Sequence, residues 1–138
     1  PSVQLVWPEA VERIAAFLRT SGVEGRLEEL LAGAGPPAGQ KLRADAFEGD
    51  GATVVALVPD DRAVDTRKLA VAAGCPEVRP APATAFPFEG ARVIMEQSVV
   101  SADAVWLEAG SPRHVFALSS AQIARLTRAE TADLLREN

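Results

Sequence analysis

Residues 41–58 constrain the fold of this chain more than any other stretch. From Lys41 to Phe47 the side chains alternate. Leu42, Ala44 and Ala46 fall on one face, while Lys41, Arg43, Asp45 and Phe47 fall on the other, because strand side chains switch sides at every residue. Gly49-Asp50-Gly51 supplies a turn. Ala52 to Val58 is nearly all apolar, as suits a central strand. The pattern predicts an antiparallel hairpin.

Helices precede and follow it. Val11, Ile14, Ala15 and Leu18 mark one buried helical face over residues 8–21, with Pro8 suited to the first helical position and Gly22 as the stop. Residues 26–32 read as a short second helix, and Gly33 to Gly39 as a loop. Asp65 caps a helix with Leu69, Ala70 and Ala73 inward and Gly74 closing it. Residues 80–90, with Pro80, Pro82 and Pro87, read as a loop crossing a surface or rimming a pocket, since proline withholds sheet donors. Arg92 to Glu96, Ala104 to Ala109 and His114 to Leu118 read as strands, the last two joined by a turn at Gly110 to Arg113. Ser119 with Gln122 forms a capping box that opens a helix through Leu126. Thr131 to Leu135 reads as strand or helix. Helices interrupting strands that include a hairpin imply one α/β domain over residues 1–138 with a mixed sheet.

Composition narrows the function classes. With a single cysteine, Cys75, there is no internal disulfide, and Cys/His spacing for zinc is lacking. No metal or other cofactor is expected. No segment reaches the roughly 18 apolar residues of a membrane span, and the N-terminus lacks the order of a secretory signal, so a cytoplasmic protein without a membrane partner is expected. The net charge of −5 argues against a free-standing, non-specific nucleic-acid or DNA binder, which needs excess Lys and Arg to displace counterions.

Four segments, in order, resemble the YbaK/prolyl-tRNA-editing family. Leu42 to Gly51 resembles its first core strand and turn. Val58 to Ala70, with Val64-Asp65-Thr66-Arg67-Lys68-Leu69-Ala70, resembles its strand, short turn and helix. Val105 to Phe116 resembles its late strand, glycine turn and returning strand. Ser119 to Thr127, followed by Ala132-Asp133, resembles its closing segment. The likeness spans roughly residues 42–135. It implies a curved, partly closed mixed sheet flanked by helices and no metal. It also implies hydrolysis of the ester joining a wrong amino acid to tRNA, usually tRNA for proline, with prolyl-tRNA synthetase as a partner. In such domains backbone amides of a glycine/proline loop hold the substrate carbonyl, and a lysine on the first core strand supports the site.

The resemblance carries the family's lysine onto Arg43 without a gap, or onto Lys41 with a two-residue slip. Both lie on one strand face. Arg43 is always protonated and can clamp a phosphate or carboxylate but cannot accept a proton. Its plainer reading is an ion pair with Asp45 or Glu48. The loop is shortened to Ala83–Gly90, where Pro87 and Gly90 echo the end of the family motif and the leading glycine is replaced. Phe86, Pro87, Phe88 and Gly90 are expected to rim a pocket that sizes a small side chain, or else to cover the core. Gly110, Ser111 and Arg113 border the site in relatives, where they would meet the terminal nucleotide, and the whole Gly110–His114 segment would line the pocket. His114 invites a general-base role, but with no Ser/Asp or Cys partner nearby in sequence it also reads as a structural histidine. Cys75 reads as a packing residue, and Arg62, Arg67 and Lys68 as a solvated helix face or a tRNA patch. Two functions stand side by side: a deacylase acting on the acceptor end of aminoacyl-tRNA, and a non-catalytic module binding tRNA, a small ligand or a synthetase.

Overall fold

The computed structural model describes residues 8–23, 26–29, 39–111 and 113–137. Among them are three α-helices: α1 (Glu9–Thr20), α2 (Thr66–Ala73) and α3 (Ser120–Thr127). The strands are β1 (Arg26–Glu29), β2 (Gln40–Gly49), β3 (Ala52–Pro59), β4 (Arg79–Pro80), β5 (Arg92–Glu96), β6 (Val105–Ser111), β7 (His114–Leu118) and β8 (Glu130–Ala132). They form one mixed sheet in the order β1-β7-β6-β2-β3-β5-β8, with β4 added to β2. The path is open, with β1 and β8 at its ends.

The hairpin of β2 and β3 organises the sheet. Its register runs from Gly49↔Ala52 to Leu42↔Pro59 without interruption. Asp50 and Gly51 both take positive φ, 53° and 75°, and a turn with two left-handed central residues matches the twist of the strands it joins. β3 is apolar from Val54 to Val58 because the sheet is covered on both sides. Val55 and Leu57 join a core with Leu42, Met95, Phe116, Ile14 and Leu18 of α1, and Ile123 of α3. Val54, Ala56 and Val58 join a second core with Leu69 of α2, Ile94 and Leu134. Burying each such side chain contributes about 1.5–3 kcal/mol.

Capping fixes the helices as the sequence implies. Asp65 accepts from the Arg67 and Lys68 amides, and Gly74 ends α2 in the left-handed conformation at φ 71°. Ser119 and Gln122 form the reciprocal capping box of α3. Pro8 is the cap of α1 rather than its first residue.

Two expectations are corrected. Arg26–Glu29 is a strand, not a helix: it pairs antiparallel with β7, and Leu27 packs against the first core. Local helix preference in four residues is weaker than the demand of an otherwise unpaired sheet edge. Residues 30–38, including most of the expected loop at 33–39, lie outside the described residues. Gly110 and Ser111 belong to β6 rather than to a turn, and the strand shifts register between Glu108 and Ser111. Thr131 to Leu135 resolves into the end of β8 and a bridge from Leu135 to Val64.

Candidate functional site

β2 and β6 pair in parallel only at Gln40–Lys41 against Val105–Trp106. Farther along, β2 is joined by β4 at Phe47 and Glu48. Between these points no strand among the described residues covers that edge of β2. A cleft of about 460 Å³ lies there, lined by Lys41 to Ala44, Asp60, Ala83 to Phe86, Phe88, Leu107, Glu108 and Gly110.

Of the two cations lining this cleft, Lys41 and Arg43, Lys41 is the more loosely held. Its Nζ lies 3.5 Å from Asp60 Oδ2 and 3.7 Å from Glu108 Oε1, and 5.2 Å from the centre of the Trp106 ring. These contacts are looser than hydrogen bonds, and all three charged side chains remain partly exposed. Neither carboxylate is among the residues singled out by sequence. Both leave a signal there: counting back along the hairpin from the Gly49–Ala52 pair sets Asp60 opposite Lys41, and the Asp60 amide donates to the Lys41 carbonyl at 3.0 Å. Glu108 shares the parity of Trp106, the register partner of Lys41.

Arg43 is committed to the fold. Its Nε donates to both oxygens of Asp45, at 2.9 and 3.0 Å. Its Nη1 and Nη2 each donate at 2.8 Å, to the carbonyls of Asp60 and Arg62. The guanidinium thus braces the loop after β3 while lining the cleft. The expected ion pair forms with Asp45.

The Ala83–Gly90 segment divides. Phe86 and Phe88 are buried in the first core yet line the cleft wall. The Phe86 ring meets Phe17, Phe88 and Phe116 at centroid distances of 5.8, 5.6 and 4.7 Å. The same two rings cover the core and form part of the cleft wall, and the cleft beside them stays open. Pro87, which follows a cis peptide bond, and Gly90 line a different depression, with Arg92 and Arg128.

Gly110 lines the cleft with φ 80° and sits against α1: a Cβ built on it would stand 2.8 Å from the Ala10 Cβ. The Ser111 side chain and Pro112 lie outside the described residues. Arg113 is exposed, 3.5 Å from Glu29. His114 is buried at the start of β7, opposite Glu29, and is not among the cleft-lining residues. Cys75 packs against the second core, beneath Gly49. Lys68 pairs with Asp133 at 2.9 Å and donates to the Leu135 carbonyl, while Arg62 donates to the Arg136 carbonyl. Among the described residues, no three His, Cys, Asp or Glu side chains gather into a metal-holding group, and no helix is long and apolar enough to cross a membrane.

No protein-family model matches the chain, and no curated protein matches it in sequence. Solved structures do. A scaffold protein from work on epitope backbone grafting by computational design superposes with a TM-score of 0.81 at 20% identity, covering 96% of this chain and 100% of that one. A candidate trans-editing enzyme for prolyl tRNA synthetase gives 0.78 at 22% identity, covering 96% of this chain and 100% of that one. A hypothetical protein gives 0.76 at 16% identity, covering 90% and 99%. The fold is the YbaK-like fold, and at these identities the likeness carries the fold alone.

Proposed function

We propose that the chain is an ester hydrolase that deacylates mischarged aminoacyl-tRNA carrying a small amino acid, tRNA for proline being the first candidate. The observation that carries the reading is the open cleft beside Lys41, walled by Ala83 to Phe86 and Phe88, in a fold shared with a candidate trans-editing enzyme. The acceptor end enters over Lys41. The Lys41 ammonium meets the terminal phosphate or ribose, and the peptide N–H groups of Ala83 to Phe86, which line the cleft, are the candidate donors to the ester carbonyl, where negative charge grows during attack. Water adds to the carbonyl carbon, the ester C–O bond breaks, and the ribose oxygen leaves with a proton. Leu42, Ala44, Leu107 and Phe86 offer the amino-acid side chain an apolar wall.

Arg43 serves this reading as a brace, because three of its five N–H donors are already engaged, by Asp45 and two carbonyls. That same engagement favours the second reading, a non-catalytic module that keeps the fold and binds tRNA, a small ligand or a synthetase. The experiment is deacylation of a panel of tRNAs charged with alanine, serine, cysteine and similar residues by the wild type, Lys41→Ala and Arg43→Ala. Turnover by the wild type that is lost in Lys41→Ala supports the hydrolase. A folded wild-type protein with no turnover on any ester selects the binding module.

A further inference from the structure

The charges around the cleft do not suit an anion alone. Arg43 is balanced by Asp45, through two contacts to one carboxylate. What remains is one cation, Lys41, against two carboxylates, Asp60 and Glu108. Both carboxylates are about half exposed, with side-chain exposures of 41% and 51%, and both stand beyond hydrogen-bond distance of the lysine. Each therefore keeps acceptor capacity directed to solvent or ligand. They come from the two strands that flank β2, Asp60 just after β3 and Glu108 on β6. Apolar side chains lie beside them: Leu42, Ala44, Leu107 and Phe86. A cation attached to a small apolar group, with a polar chain leading out of the cleft, complements this arrangement.

We infer that Glu108 and Asp60 bind the protonated α-amino group of the aminoacyl moiety, so that the site selects acyl groups with a free α-amine and rejects those whose nitrogen is acylated. This deepens the deacylase reading and rests on it for the identity of the substrate. An ammonium offers three donors, and two carboxylate acceptors flanking an apolar wall fix its position relative to the side chain. N-acylation removes the charge and two of the donors, leaving the carboxylates facing a bulkier neutral amide.

The test separates binding from turnover. The probes are 3′-alanylamino-3′-deoxyadenosine, whose amide link resists hydrolysis, and its N-acetyl derivative, titrated calorimetrically against the wild type, Glu108→Gln and Asp60→Asn. Thermal melts check that each variant is folded. The wild type is expected to bind the free amine about tenfold more tightly than the acetylated compound, the size of one charge-assisted hydrogen bond. In Glu108→Gln that ratio is expected to fall towards one. Equal binding of both compounds by the wild type overturns the inference, as does no binding of either, or a ratio unchanged in both variants. Hydrolysis of alanyl-tRNA is measured alongside. Turnover without amine selectivity sinks this inference and leaves the deacylase standing, whereas amine-selective binding without turnover sinks the deacylase and leaves the ammonium site.

Discussion

Arg43 and Asp60 are joined through the backbone: the guanidinium donates at 2.8 Å to the Asp60 carbonyl, while the Asp60 carboxylate turns to Lys41. The two cations of β2 thus divide the work on one residue. Arg43 sets where its main chain lies, and Lys41 meets its charge.

That division separates two substitutions. Lys41→Ala removes a half-buried cation with only loose contacts, so the melting temperature should move little while turnover falls about 100-fold or more, as for loss of an electrostatic contact at a reacting centre. Arg43→Ala strips charged donors from two carbonyls and a carboxylate and should cost about 2–4 kcal/mol, read by urea unfolding. Turnover should fall as well, through the displaced Asp60 loop. Stability unchanged in Arg43→Ala would remove its role as a brace.

Gly110→Ala tests the contact between α1 and β6. The new Cβ meets Ala10 at 2.8 Å on a backbone already at φ 80°, so a loss of about 1–3 kcal/mol is expected. Ala10→Gly in the same chain should relieve only part of it, since the Ala10 carbonyl carbon also lies 3.1 Å from that Cβ. A single variant as stable as the wild type would contradict this packing.

Lys68 and Asp133 give stability an acid and an alkaline edge. The hydrogen bond from Lys68 holds the Asp133 pKa below its ordinary value, against the opposing effect of burial. This stabilisation is present above the unfolded carboxylate pKa and is lost as pH falls through the lowered one. The hydrogen bond to Asp133 likewise raises the Lys68 pKa, so its share is full below the unfolded lysine pKa and is lost as pH rises through the raised one. Lys68→Met should flatten both edges in melting temperature against pH. Unaltered edges would show that the pair contributes nothing, a common result for exposed ion pairs.

Ser119→Ala should cost about 1 kcal/mol, by removing the side chain that accepts from the Gln122 amide at the start of α3. Chemical denaturation is the measurement, and no change would mean that the cap is replaced by solvent.

Much of this was legible before the structure. The hairpin, the Asp65 and Gly74 caps and the capping box of α3 follow from local chemistry, and each stands where the sequence implies. β1 was not legible, because Arg26–Glu29 becomes a strand only through β7, far along the chain. At the site, alternation placed Lys41 and Arg43 on one face but could not tell them apart. What distinguishes them is which carbonyls come within reach of a guanidinium, a matter of tertiary position. Asp60 could have been reached by extending the hairpin register. Glu108 needed the parallel pairing of β2 with β6, which no local pattern announces.

Lys41 and Asp60 are the open ends of one hairpin whose other end is the Asp50–Gly51 turn. Eight residues of strand, about 25 Å, separate the turn from the charges. A slip of one residue there would carry Lys41 to the opposite face of the sheet. The spacing of the charges at the mouth is therefore decided at the far tip of the molecule, by two left-handed residues that never approach the cleft. A mutation at that tip would look like surface variation and act as a change of cleft geometry.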